Sequence, residues 1–157
     1  MIIVSACLCG VNSRYDGKNN INHKVLKLLE EGKAILVCPE QLGGFSTPRP
    51  PHEIKNGAGA DVLSGNSKVI SNDNFDGTER FIRGAEETLK IAKAIGAKYA
   101  ILKSKSPSCG KGIIYDGSFS GVKIPGNGVA AELLQRNNIE VFTEEEFENI
   151  DFEYFNK

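Results

Sequence analysis

Ile2-Ile3-Val4-Ser5-Ala6-Cys7 opens the chain with a short apolar run that stops at a cysteine. Its β-branched residues read as a buried strand. The same arrangement returns twice. Ile35-Leu36-Val37 runs directly into Cys38-Pro39-Glu40, and Ala100-Ile101-Leu102 leads through Lys103-Ser104-Lys105 to Ser106-Pro107-Ser108-Cys109-Gly110. Helical patterns lie between these runs. Val25, Leu26, Leu28 and Leu29 form one, ended by Gly32, and Phe81, Ile82, Ala85, Leu89, Ala92 and Ile95 stripe a longer one over residues 76–95. Gly126-Asn127-Gly128 opens a third over residues 129–136, and residues 139–142 form a last strand. Strands alternating with helices imply right-handed crossovers and a parallel sheet covered on both faces. The fold class expected is α/β: a single-domain, Rossmann-like three-layer sandwich with a mostly parallel sheet flanked by helices. If the three cysteine-bearing strands are parallel neighbours, their sulfurs converge at the edge where open α/β sheets bind ligands.

Other segments are less regular. Residues 42–55 carry Gly43-Gly44 and Pro48-Arg49-Pro50-Pro51, which argue against helix and for one long loop, usually a functional one. Residues 61–63 and 68–70, separated by Ser64-Gly65-Asn66, read as a peripheral hairpin. Asp76 with Glu79, and Thr143 with Glu146, have the spacing of capping boxes.

Composition narrows the function classes. A chain of 157 residues is one domain by size, able to bury a core without disulfides. A net charge of −1 argues against a strongly electrostatic nucleic-acid binder, and no polymer of that kind is expected as a partner. No apolar run approaches a membrane span and no secretory leader is visible, so a cytoplasmic protein is expected. Four cysteines in a reducing compartment read as ligands, catalysts or core residues rather than disulfides. A homodimer is compatible with the sequence.

Cys7, Cys38 and Cys109 suggest a thiolate triad with an open metal position, although the close Cys-x-x-Cys pairing of common zinc sites is absent. Without their strand-end placement each reads equally as a small buried hydrophobe. Cys9 is set aside as a bystander. Glu40, two residues after Cys38, stands near enough to act as a base, or else is an ordinary loop carboxylate. Ser104, Ser106 and Ser108 alternate, and in an extended segment share a face suited to hydrogen bonding; turn chemistry around Pro107 is the alternative. Arg49 and Lys103 are candidates for holding an anion or polarising a substrate, and Gly126-Asn127-Gly128 offers helix N-terminal N–H groups to an anion or carbonyl. Tyr15 and Tyr115 sit in turn signatures but can wall a flat heterocycle. His23 and His52 lack ligand spacing, and His52 is the one closer to a candidate site.

In order along the chain, Ser5-Ala6-Cys7-Leu8, Arg14-Tyr15-Asp16-Gly17, Cys38-Pro39-Glu40, Gly43-Gly44, Pro48-Arg49-Pro50, Ser106-Pro107-Ser108-Cys109-Gly110, Tyr115-Asp116-Gly117-Ser118-Phe119-Ser120-Gly121 and Gly126-Asn127-Gly128-Val129 resemble the thiouracil desulfurase (desulfidase) family, formerly a bacterial domain of unknown function. The resemblance runs from Met1 to about Val141. It implies a cubane 4Fe–4S cluster held by Cys7, Cys38 and Cys109, with Glu40 and Ser106 as acid/base and proton-relay residues. Arg49, Ser108 and Asn127 are the expected substrate-binding residues. Cys9 stands where the family often has Leu, and Ser13 where it often has Cys; neither is an implied ligand. Three thiolates leave one iron of a cubane open, a Lewis acid with affinity for sulfur. The function expected is non-redox cleavage of a carbon–sulfur bond in a small thiolated, thiouracil-like compound. The alternatives are a carrier or binding module for a metal or sulfur species, and a plain nucleotide-binding α/β domain with buried cysteines.

Overall fold

The computed structural model describes residues 1–157. In chain order, β1 (Ile2–Ser5) passes through one 3-10 turn at Ala6–Cys9 to α1 (His23–Glu30), β2 (Ala34–Val37) and α2 (Pro39–Leu42). There follow β3 (His52–Lys55), α3 (Gly59–Leu63), β4 (Lys68–Ser71), α4 (Thr78–Ala94) and β5 (Tyr99–Leu102). The chain ends with β6 (Ile113–Tyr115), β7 (Lys123–Pro125), α5 (Val129–Arg136), β8 (Glu140–Thr143), α6 (Glu144–Phe147) and a 3-10 segment, Phe152–Asn156.

Four parallel strands in the order β2-β1-β5-β8 form the central sheet. The period of two along each strand divides the core. Ile2, Val4, Ala34, Ile101 and Phe142 face α1, α6 and the C-terminal aromatics. Ile3, Val37, Ala100, Leu102 and Val141 face α4 and α5, meeting Ala92, Ala131 and Leu134. The expected three-layer α/β architecture is therefore present. Small residues on the α4–α5 side let the helices lie close to the sheet, and fully buried Ile3, Val4, Ala100, Ile101 and Leu102 lie on its two inner strands, β1 and β5.

The irregular middle of the chain is more structured than its prolines suggest. Pro39 occupies the first turn of α2, where a missing N–H costs nothing. Residues 52–55 form β3, which pairs antiparallel with β4. The hairpin expected between residues 61–63 and 68–70 does not form. Residues 59–63 are helical instead, with the Asp61 carboxylate accepting the Ala58 N–H at 2.8 Å. An apolar pair as short as Val62-Leu63 cannot distinguish the two periodicities. The Thr143–Glu146 capping box is present in both directions. The Asp76–Glu79 box is not: Gly77 is the cap, and Asp76 binds the Thr78 N–H two residues on. The β6–β7 hairpin had no clear signal in the sequence.

Helix α2 sits on α4 backbone to backbone. A Cβ on Gly84 would lie 1.9 Å from the Pro39 carbonyl oxygen, and one on Gly43 would lie 2.0 Å from that of Arg80. Only glycine allows this approach. It matters because α2 begins immediately after Cys38 and carries Glu40.

Two buried titratable groups make the fold acid-sensitive. Glu144 joins the ends of β5 and β8: its carboxylate accepts from Lys103 Nζ at 2.9 Å, Ser104 N at 2.8 Å and Ser104 Oγ at 2.7 Å. Burial pushes its pKa up, but the Ser104 hydroxyl and the Lys103 ammonium outweigh that and bring it below the ordinary 4.5. His52 is packed among Phe45, Phe75 and Phe81. Its Nδ1 lies 2.9 Å from the Pro50 carbonyl, which only accepts, so Nδ1 carries the proton and buried Nε2 has no partner. Burial holds its pKa below the ordinary 6.5.

Three outcomes follow. Gly84→Ala lowers the unfolding free energy by about 2 kcal/mol in denaturant titration, because the new methyl forces α2 off α4. Both depressed pKa values mean that the unfolded chain binds more protons in acid. On the acid side stability is therefore greatest above pH 6.5 and falls in two stages, through the His52 range and then below 4.5 through that of Glu144. His52→Phe flattens the upper stage and Glu144→Gln the lower, as read from melting temperature against pH.

Candidate metal centre and substrate cavity

The carboxyl ends of β1, β2 and β5 lie side by side, and a cavity of about 500 Å³ opens over them. Cys7, Cys38 and Cys109 all line it. Each arrives by a different local device. Cys7 lies in the 3-10 turn after β1. Cys38 is the N-cap of α2. Cys109 lies in a loop whose backbone caps α5: the Pro107 carbonyl accepts from Val129 N at 2.8 Å, and that of Ser108 from Ala130 N at 2.9 Å and Ala131 N at 3.1 Å. A Cβ on Gly128 would lie 2.6 Å from the Ser108 carbonyl oxygen, so this docking needs glycine there.

That docking places Asn127 apart from the other expected site residues. The N–H groups opening α5 are already bound by the cysteine loop and offer nothing to an anion. Asn127 lies outside the cavity: its side-chain oxygen accepts from Gly112 N at 2.8 Å, and its amide donates to Glu132 and Gln135. It braces α5.

All four cysteines are free thiols. Burial raises every one of their pKa values, Cys109 to about 12 and Cys9 to about 11. Cys109 also feels Cys38 and Cys7, and Cys7 feels Cys38, whereas Cys9 feels Cys7 alone. Cys9 packs in the core with Leu8, Val25 and Leu28, away from the cavity.

The triad is provided with donors. Ser5 Oγ donates to Cys109 Sγ at 3.3 Å, and Ser108 Oγ approaches it at 3.8 Å. Arg49 Nη2 reaches Cys38 Sγ at 3.9 Å, and the backbone N–H groups of Gln41 and Glu40 also favour its thiolate. The Asn20 side chain, its carbonyl oxygen fixed by Arg14 at 2.7 Å, favours the thiolate of Cys7. Donors aimed at sulfur suit metal-bound thiolates. No three His, Cys, Asp or Glu side chains stand close enough to ligate one ion. Three separated thiols around one cavity fit an iron–sulfur cube better, since each ligand there binds a different iron.

Glu40 and Arg49 form a buried ion pair beside the triad. Arg49 Nε donates to Glu40 Oε1 at 3.0 Å, and the two side chains are only 4% and 15% exposed. The other guanidinium nitrogens bind Thr47 Oγ1 and the Ser13 carbonyl, both at 2.8 Å. Arg49 is thus the strut that holds the loop over residues 13–17 and the proline-rich segment against α2. Glu40 Oε2 accepts from Ser108 Oγ at 3.1 Å, and Ser106 Oγ lies 2.9 Å from Ser108 Oγ.

The direction of this chain follows from its partners. Ser106 Oγ accepts the N–H groups of Ser108 and Cys109, each at 3.1 Å, so both of its lone pairs are used and its O–H donates to Ser108. Ser108 then donates to the carboxylate. Ser106 therefore reaches Glu40 only through Ser108.

Cys7, Cys38, Cys109, Glu40, Arg49, Ser106 and Ser108 all line the same cavity, as do Tyr15, Tyr115, His52 and Lys103. Sequence reasoning missed Ser5, Asn20 and Glu53. Ser5 sits two residues before Cys7 at a strand end, which was a usable signal. Glu53 accepts the N–H groups of Gly117 at 3.0 Å and Phe119 at 3.1 Å, tying the β6–β7 loop to the cavity rim across a separation that no local pattern reveals.

Relatives extend this geometry. A solved structure of the 4Fe-4S-dependent thiouracil desulfidase TudS superposes with a TM-score of 0.81 at 43% identity, covering 92% of this chain and 90% of that one. The uncharacterized protein YbbK of Bacillus subtilis (strain 168) is 50% identical over 150 residues, 96% of this chain and 99% of its own length. The sequence model of the 2-thiouracil desulfurase family matches residues 2–146, and the chain belongs to that family.

Proposed function

We propose that this protein removes sulfur from a small thiouracil-like compound in the cavity, with a 4Fe–4S cluster carried by Cys7, Cys38 and Cys109. The observation that carries the reading is the convergence of three donor-supported thiols and one anchored carboxylate on a single cavity. Likeness over nearly the whole chain to a 4Fe-4S-dependent thiouracil desulfidase supports it. When bound on three thiolates, such a cluster supplies an iron without a protein ligand, a Lewis acid that attracts sulfur and needs no net redox change.

The protein's own residues account for the remaining chemistry. Glu40 serves as the base for a water attacking the thiocarbonyl carbon. Arg49 holds Oε1 and Ser108 holds Oε2, and each oxygen keeps a second acceptor site for that water's proton. Ser108, backed by Ser106, keeps the carboxylate from rotating. Tyr15 and Tyr115 wall the cavity and offer flat faces to a heterocycle. Loading the centre displaces the thiol protons, which burial otherwise retains on all three sulfurs at neutral pH.

Anaerobic preparation with iron and sulfide quantitation, followed by sulfide release from thiouracil, tests the reading. Iron without sulfide release favours a carrier. Glu40→Gln keeps the iron and sulfide content but slows turnover by about 10²-fold or more; an unchanged rate removes Glu40 as the base. Cys38→Ser loses iron whereas Cys9→Ala retains it, and the reverse result reassigns the ligands. Arg49→Met leaves the buried Glu40 carboxylate unpaired and lowers stability by about 3 kcal/mol, as read in denaturant unfolding.

A further inference from the structure

We propose that Ser5 is a positioning residue for the Cys109 thiolate, its hydroxyl held in a fixed donor orientation so that it sets the reduction potential of the bound cluster. The inference rests on the reading of Cys109 as a ligand and goes beyond it to a residue that touches neither iron nor substrate in that reading.

The argument is one of hydrogen-bond direction. Ser5 ends β1 and is 2% exposed, so water does not compete for its hydroxyl. Its Oγ accepts the backbone N–H of Lys103 at 2.9 Å. An amide N–H can only donate, so that contact consumes an oxygen lone pair and leaves the O–H free. The partner of that O–H is Cys109 Sγ at 3.3 Å. The contact is shorter than those from Ser108 to Cys109, 3.8 Å, and from Arg49 to Cys38, 3.9 Å. The Ser108 hydroxyl is also engaged with Glu40 and Arg49 Nη2 with the Ser13 carbonyl, whereas Ser5 has no other acceptor. The amide, the hydroxyl and the sulfur form a one-way chain across the β1–β5 junction. Each donor polarises the next in a poorly solvated setting.

A hydrogen bond to a cluster thiolate draws negative charge from the sulfur. It favours the more negative, reduced form and raises the potential. The alternative role for Ser5 is structural, a pin between β1 and the residue after β5. That role needs the oxygen as an acceptor but not the proton on sulfur, and it has no bearing on a potential.

The test uses the full chain, reconstituted anaerobically with iron and sulfide, as wild type and as Ser5→Ala, Ser5→Thr and Ser5→Val. Iron and sulfide content and the midpoint potential by spectroelectrochemistry are the readouts. Thr and Val match in shape and differ in the hydroxyl, so that pair decides the matter even if Ala fails to fold. The expected result is a potential shifted negative in Ala and Val and near wild type in Thr. Equal potentials in Thr and Val, or loss of the cluster from both, overturn the role of Ser5. A wild type that takes up no iron and sulfide overturns the ligand reading first, a failure visible before any variant is compared.

Discussion

The parallel placement of β1 between β2 and β5 is the constraint from which the rest of the site follows. Parallel strands end on the same side, so three cysteines spread over a hundred positions become neighbours once those strands pair. The pairing is driven by burial on both faces: Ile3 and Val4 lose all contact with water, each worth about 2 kcal/mol of apolar transfer. A one-residue slip would exchange the two faces of a strand and move its cysteine along the edge. Core packing and sulfur placement therefore share one register.

Two close backbone approaches then bring the Glu40 and Cys109 segments to that edge. Gly43 and Gly84 let α2 press onto α4, which positions Glu40 beside Cys38. Gly128 lets the Ser106–Gly110 loop lie against the first turn of α5, where its carbonyls satisfy N–H groups that would otherwise be unpaired. The helix N-terminus is used to seat the Cys109 loop, which takes up its N–H groups. Arg49 completes the assembly from the opposite wall, joining Glu40, Thr47 and the Ser13 carbonyl in one buried fork.

Much of this was legible in the residues. The central strands and the longer helices follow from period and length, and the cysteines could be placed because each lies just beyond a strand end. Where reading failed, the deciding contact was distant. Residues 61–63 have no periodicity long enough to exclude a strand, and β4 pairs with β3 rather than with its sequence neighbour. Asn127 has a chemically suitable side chain in a suggestive Gly-Asn-Gly setting, yet the Cys109 loop had already taken the N–H groups beside it.

By itself the sequence determined the α/β layering, the strand-end cysteines and the presence of Glu40 next to Cys38, because these depend on local period and on residues one or two apart. Only the tertiary structure decided which hydroxyl faces which acceptor. Ser5 meets Cys109 across 104 positions, and Ser108 meets Glu40 across 68. Hydrogen bonds are directional and short in reach, so donors and acceptors that far apart are matched only after the sheet and the two close helix contacts have fixed their positions.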